Sequence, residues 1–171
     1  MLQLRLTQNI AKDLKVDKLE EPVDPTNPFN DWFLNVFIVN RKKIAIFTHG
    51  LTKLSFFAHY SDIGGAKNLP VALRRHLTKY LKKINYSNLQ GQVDSLFDGN
   101  YIFCKTVDKT VLGHMNDFIH AVKVHIEFSN TTGEHIGWEE ITKRVQDTPM
   151  NSIGFTTPAE LFVNCCCKLK H

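Results

Sequence analysis

The sequence predicts an α+β domain in which an antiparallel sheet of about five strands packs against helices. Three observations lead to this fold class. Leucines alternate with polar residues over positions 2–6, and two apolar, β-prone runs, 32–39 and 43–49, are separated by a short polar turn. Two longer segments, near 70–84 and 109–127, repeat apolar residues at helical spacing. Strands repeat every two residues and helices every 3.6, so these patterns distinguish the two kinds of element.

The strands are predicted from alternation and from turn residues. The alternation over residues 2–6 indicates a strand with one buried face. The runs 32–39 and 43–49 are apolar at nearly every position, which is typical of a hairpin that is covered on both faces. The other predicted strands cover residues 54–59 and 101–104.

The helices are predicted from apolar residues at spacings of three and four. Residues 70–84 place leucines on one side and cations on the other, and Pro70 suits the first turn. The segment 109–127 has the longest apolar stripe in the chain. Shorter helices are predicted after a cap at Thr7, over residues 88–97 and over residues 138–145.

The composition is that of a soluble domain. With 171 residues, of which 43% are hydrophobic and 22% charged, we expect a single domain over residues 1–171. No window approaches the roughly 18 consecutive apolar residues of a membrane span, and the N-terminus lacks the apolar core of a signal peptide. The sequence therefore predicts a cytoplasmic protein without a transmembrane segment.

The charges are distributed unevenly along the chain. Residues 41–90 carry ten basic side chains and one acidic side chain, whereas the segments on either side are slightly acidic. Such a block favours an anionic partner, either nucleic acid, an acidic protein or an anionic membrane surface. The alternative is that the flanking acids neutralise it in the fold. The predicted basic patch consists of Arg41, Lys42, Lys43, Arg74, Arg75, Lys79, Lys82 and Lys83.

A second candidate site lies where the predicted strand 101–104 meets the long helix. Free N–H groups at a helix start attract anions, and nearby lysines would add positive charge. The predicted anion site consists of Lys105, Thr106, Lys109, Gly113 and Asn116. The alternative is that Gly113 lets the helix pack closely on the sheet and that the lysines are solvated.

The long helix also carries His114, Asp117 and His120 at intervals of three residues. These residue types suit general base catalysis, but the spacing serves a metal less well than two histidines four residues apart. We take the three as catalytic candidates, with hydrogen bonding on the helix surface as the alternative. The sequence leans away from an enzyme and predicts no metal and no cofactor.

The cysteines indicate neither a disulfide framework nor a zinc site. Cys165, Cys166 and Cys167 are adjacent, which differs from the spacing that grips one zinc ion. We interpret them as packed or frayed at the terminus, with an acylated basic tail or an adventitious metal site as alternatives. The tail after Pro149 is predicted to be mostly irregular, with one further turn at 158–163 and with fraying expected over 164–171.

Several motifs resemble an uncharacterised bacterial family of domains of unknown function. They are L-x-L-R-x-T at the N-terminus, R-K-K followed by F-T in the middle, K-T-x-D-[RK]-[ST]-V-L-G-x-M-N-D over residues 105–117, and T-P-M followed by G-[FY] near the end. The chain departs from the family pattern at His49, where asparagine is usual, and at His114, where serine is usual. The resemblance covers nearly the whole chain and implies one domain and no particular reaction.

These observations favour a small binding module for an anionic partner, either nucleic acid or an acidic protein. One alternative is a small enzyme with its site at residues 105–117. The other is an interaction domain whose helices dock a partner chain. The oligomeric state does not follow from the sequence.

Overall fold

The computed structural model of the chain describes residues 1–25, 27–97, 99–133 and 137–168. Within these residues the chain forms one five-stranded sheet and six α-helices. The strands are β1 (Leu2–Leu6), β2 (Asp31–Val39), β3 (Lys42–His49), β4 (Ser55–His59) and β5 (Tyr101–Lys105). The helices are α1 (Gln8–Asp13), α2 (Leu69–Lys83), α3 (Gln90–Phe97), α4 (Lys109–Thr132), α5 (Trp138–Gln146) and α6 (Pro158–Lys168). The α+β class is therefore confirmed.

The sheet is mixed, so the prediction of an antiparallel sheet is wrong in this respect. The strand order is β4-β3-β2-β1-β5, and β1 pairs in parallel with both β2 and β5. The antiparallel pairs of strands are β2 with β3 and β3 with β4. The reason is the connections: α1 and the loop after it return the chain to the end of the sheet where β1 began, and such a crossover produces parallel strands.

Both faces of the sheet are covered by helices. On the first face, Leu4, Trp32 and Phe47 pack with residues of α1, α2, α3 and α6. On the second face, Phe33 and Ile46 pack with residues of α4 and α5. This explains why the central strands read as nearly continuous apolar runs.

Two helix ends differ from the expectations. Thr7 occupies the position before α1, but its side chain does not cap the helix; its hydroxyl is 2.8 Å from Oδ1 of Asn35 and donates to it. The tail is a regular helix, α6, where one turn was predicted. Thr157 accepts from the N–H of Glu160, and the Glu160 carboxylate accepts from the N–H of Thr157. This reciprocal capping box, with Pro158 in the first turn, starts the helix.

The C-terminal cysteines lie on α6. Cys166 is 4% exposed and belongs to the core of the first face, whereas Cys167 points to the surface. Burial raises the pKa of Cys166 to about 12, so its thiol stays protonated at neutral pH. Residues 169–171 at the end of the predicted tail lie outside the described residues, as does Asp98 in the turn before β5.

Candidate functional site

The strand-to-helix junction has the predicted connectivity. β5 ends at Lys105, and α4 begins at Lys109. Asp108 caps the helix, because its carboxylate accepts from the N–H groups of Thr110 at 2.8 Å and Val111 at 3.1 Å. Lys105 is ion-paired with Glu21. An external anion would therefore share the start of α4 with the Asp108 carboxylate. Of the two lysines at the junction, Lys105 and Lys109, the first is already engaged with Glu21.

The remaining residues of the junction lie along the outer side of α4. Gly113, Asn116, Asp117 and His120 are exposed, and a Cβ built on Gly113 would meet nothing within 4 Å. The alternative that Gly113 allows close packing on the sheet is therefore wrong. His114 is partly buried, and its Nδ1 has no hydrogen-bond partner among the described residues.

A buried charge cluster lies beneath the start of α4. Nε of Arg5 is 2.5 Å from Oδ1 of Asp31, and both residues are only 9% exposed. Lys53 is also buried and donates to the carbonyl of Gly50. Gly50 is required here, because a Cβ at this position would lie 2.9 Å from the Asp31 carboxylate.

Burial is the main influence on the ionisation of this cluster. It raises the pKa of Asp31 and lowers the pKa of Lys53, against the attraction of their charged neighbours. Burial and the charge of Lys53 also lower the pKa of His114, so that its imidazole is more readily neutral. Shifts of this kind occur at functional sites and in structural ion-pair networks alike. Here Arg5 and Asp31 pair with each other and Lys53 donates to the Gly50 carbonyl, which favours a structural role for these three residues.

The described residues provide no cluster suited to a metal. Among them, no group of three or more His, Cys, Asp or Glu side chains is arranged to hold an ion. The described helices likewise include none with the length and apolar character needed to cross a bilayer.

The basic residues lie on two neighbouring surfaces. The exposed end of the β2–β3 hairpin carries Arg41, Lys42 and Lys43. The second surface is the outer side of α2, where all five cations are exposed: Arg74, Arg75, Lys79, Lys82 and Lys83. The two surfaces meet near Asp62. Its backbone carbonyl accepts a hydrogen bond from Arg75 of α2 at 3.0 Å. Asp62 also lines a shallow depression together with Lys42 and Lys43 of the hairpin.

Acidic residues pair with part of this patch. Lys43 is 2.8 Å from Asp13, Arg74 is 2.8 Å from Asp94, and Lys79 is ion-paired with Glu139. The predicted neutralisation by flanking acids is therefore real for these three cations. All three pairs are solvent-exposed, and such pairs contribute little to stability and open readily.

A cleft of about 300 Å³ lies between α2 and α5. Its floor is the outer edge of β4, where Phe56 and Phe57 point to opposite faces of the sheet. On the α2 side, Tyr80 lies 5.6 Å from Phe56 between ring centroids. On the α5 side, Trp138 lies 6.1 Å from Phe57. The walls are thus aromatic, and Lys79, Lys83 and Lys143 supply cations at the rim.

Gln146 at the end of α5 closes one end of the β4 edge. The N–H of Ser55 donates to Oε1 of Gln146 at 3.2 Å, and Nε2 of Gln146 donates to the carbonyl of Ser55. Both residues are fully buried. The amide therefore pairs with β4 as a residue of another strand would.

The comparison with known families covers most of this fold and ends within α6. Residues 3–161 match the model of a family described as a domain of unknown function, DUF6933. The chain belongs to this family. The resemblance predicted from the motifs is thereby confirmed, and no curated protein and no solved structure matches the chain.

For this DUF6933 member, the sequence identified part of the cleft and missed the rest. The predicted basic patch includes Lys79 and Lys83. The aromatic residues of the walls lie in predicted helices and strands, but the sequence does not predict that they line a cleft. Trp138 was the available signal, since a tryptophan at the start of a polar helix is unusual on a solvated surface. Gln146 gave no signal, because its partner Ser55 is 91 positions away.

Proposed function

We propose that this domain binds an acidic segment of a partner protein across α2 and in the cleft between α2 and α5. One observation carries the proposal: α2 has five exposed cations and no acidic residue, and it forms one wall of an aromatic cleft. Cations at a rim attract an acidic chain and orient it. Aromatic walls supply the apolar contact that fixes it.

The cleft favours a polypeptide over nucleic acid. Polyanion binding of the nucleic-acid type depends on many cations that are free to neutralise phosphates. Here Lys43, Arg74 and Lys79 are paired with carboxylates. The aromatic rings already pack against neighbouring rings inside the fold, Phe56 against Tyr80 and Phe57 against Trp138, which leaves less ring surface on which bases could stack.

The test uses a nine-residue peptide in which glutamate and valine alternate, with both ends blocked. We expect it to bind in a calorimetric titration and to bind more weakly as salt is added, because the rim charges are exposed. A ten-residue oligothymidylate should bind less tightly at the same salt concentration. Tighter binding of the oligonucleotide would favour nucleic acid and contradict the proposal.

Charge reversal locates the binding surface. The double variant Lys82→Glu and Lys83→Glu should lose affinity for the peptide by about tenfold. The matched control, Lys12→Glu and Lys123→Glu, has the same net charge and changes exposed lysines on α1 and α4. It should retain most of the affinity. Equal losses in both variants would show a response to net charge alone and would remove α2 from the binding surface.

A further inference from the structure

The outer edge of β4 is open for part of its length. The carbonyl of Leu54 accepts from the N–H of His49, so Leu54 faces β3. Ser55 faces away from β3, because both its N–H and its carbonyl pair with Gln146. In an antiparallel ladder this direction alternates with every residue. The N–H and carbonyl groups of Phe57 and the N–H group of His59 therefore also point outwards.

These outward groups face the cleft. Phe57 lines it directly, and His59 lies 5.8 Å from Trp138 at its end. Apart from the hydrogen bonds within helices and strands, the backbone groups of Phe57 make none among the described residues. His59 precedes a 3-10 turn over Tyr60–Ile63 as its N-cap, so its carbonyl belongs to that turn and its N–H is the group left for a ligand. The cleft thus presents main-chain donors and acceptors along its floor, at the spacing of a β-strand.

We propose that the acidic segment binds as a sixth strand, by pairing its backbone with Phe57 and His59 at the edge of β4. This inference rests on the proposed function and specifies how the segment is held. Strand addition is a common mode of peptide recognition, in which main-chain bonds give affinity and side-chain pockets give specificity. Gln146 already occupies the place of one residue in this added strand.

The walls favour one extended chain over a second copy of the domain. α2 and α5 stand on opposite faces of the sheet beside β4, and Lys79 and Glu139 form an ion pair between them. A second copy would bring the same two helices to the same edge, where they would collide. A single strand requires only that this exposed ion pair shift or open.

The side chains of an added strand would alternate between the two walls. One set would face α2, where Lys79 and Lys83 attract carboxylates. The other set would face α5, where Trp138 offers an apolar surface. The lysines that line the cleft outnumber its carboxylates, Glu139 and Asp147, and this balance favours an extended segment with acidic and apolar residues in alternation.

The test on the protein uses a matched pair of variants at His59. Its φ of −59° is the value that proline requires, and His59→Pro removes an outward N–H without touching the pairing with β3. His59→Ala removes the side chain but keeps that N–H. We expect His59→Pro to bind the alternating glutamate–valine peptide about tenfold more weakly than His59→Ala. Equal affinities would overturn strand addition.

The test on the peptide uses two N-methylated isomers of equal charge and composition. One is methylated at the valines and the other at the glutamates, so each isomer blocks one edge of the strand. Strand addition uses a single edge, and we expect one isomer to lose binding while the other keeps it. If both isomers bind like the parent peptide and reversal of Lys82 and Lys83 still weakens binding, the peptide binds at the proposed surface but not as an added strand. Self-association of the protein that His59→Pro abolishes would likewise overturn it, in favour of a second copy.

Discussion

Gln146 and Ser55 form a two-point contact that joins the end of α5 to the edge of the sheet. The side-chain amide donates to the Ser55 carbonyl and accepts from its N–H, and both residues are completely shielded from solvent. A replacement side chain would need both a donor and an acceptor to keep the N–H and the carbonyl of Ser55 paired. The contact thus fixes α5, and with it Trp138, against β4.

The first prediction concerns this contact. Gln146→Leu should keep the volume near that of glutamine and leave the buried N–H and carbonyl of Ser55 unpaired. We expect a loss of about 1–3 kcal/mol in the free energy of unfolding for each unpaired group, measured by urea denaturation. The control Gln8→Leu changes an exposed glutamine and should stay within about 0.5 kcal/mol of wild type. Similar values for the two variants would show that the amide contact is not formed.

The second prediction concerns the buried pair of Arg5 and Asp31. Asp31→Leu leaves the guanidinium buried without its carboxylate, and we expect a loss of about 3–5 kcal/mol. Replacing both partners, as Arg5→Met with Asp31→Leu, should restore most of that loss because no guanidinium is left buried without a carboxylate, and Lys53 keeps Asp108 as an acidic neighbour. A double-mutant cycle measured by denaturation gives the coupling. Strictly additive effects would contradict the pairing.

The third prediction concerns the apolar face of α4. Phe118 is 5% exposed and lies in the core of the second face, whereas Phe128 on the same helix is 58% exposed. Phe118→Ala should therefore cost about 3–5 kcal/mol, and Phe128→Ala should cost far less. Thermal melting of both variants checks the helix orientation. A melting temperature for Phe118→Ala within a degree of wild type would refute it.

The fourth prediction concerns His76, which lies on the α2 wall of the cleft. Burial, together with the charges of Arg75 and Lys79, lowers its pKa below the ordinary value of 6.5. Between that lowered pKa and 6.5 the unfolded chain binds a proton that the folded chain does not, so stability must fall as pH falls through this window. His76→Phe should make the fall shallower, since no proton is taken up at this position. The free energy of unfolding measured from pH 8 to pH 5 tests this, and identical slopes for variant and wild type would contradict it.

The sequence predicted elements whose signal is local. The alternation in residues 2–6 and the apolar runs after Trp32 and Lys43 correspond closely to β1, β2 and β3. The parallel pairing of β1 could not be predicted, because strand direction depends on where residues 14–30 carry the chain. The helix α6 follows from Thr157 and Glu160, a spacing typical of a capping box. Proline suits the first turn of a helix, so Pro158 begins α6, and the prediction of a mostly irregular tail is wrong here.

The candidate site divides in the same way. The five cations of α2 follow from the helical period, since it separates them from the buried leucines. The carboxylates that pair with Arg74 and Lys79 cannot be predicted from this period. They are Asp94 of α3 and Glu139 of α5, and the tertiary fold brings them to α2. The cleft itself forms only when α5 packs beside β4, so its position does not follow from a local pattern, although Trp138 marks part of it. The predicted anion site at residues 105–117 stays a prediction, which phosphate titration of the Lys105→Ala and Lys109→Ala double variant would test.

The most direct test of the account compares the two tryptophan indoles by NMR. Trp32 is sealed in the core, where its indole N–H donates to the carbonyl of Phe29 at 2.9 Å. Trp138 forms the α5 wall of the cleft. During titration with the alternating glutamate–valine peptide, we predict that the Trp138 indole signal moves saturably and that the Trp32 signal stays in place. Binding of the peptide with an unmoved Trp138 signal would place it elsewhere on the domain and contradict the account.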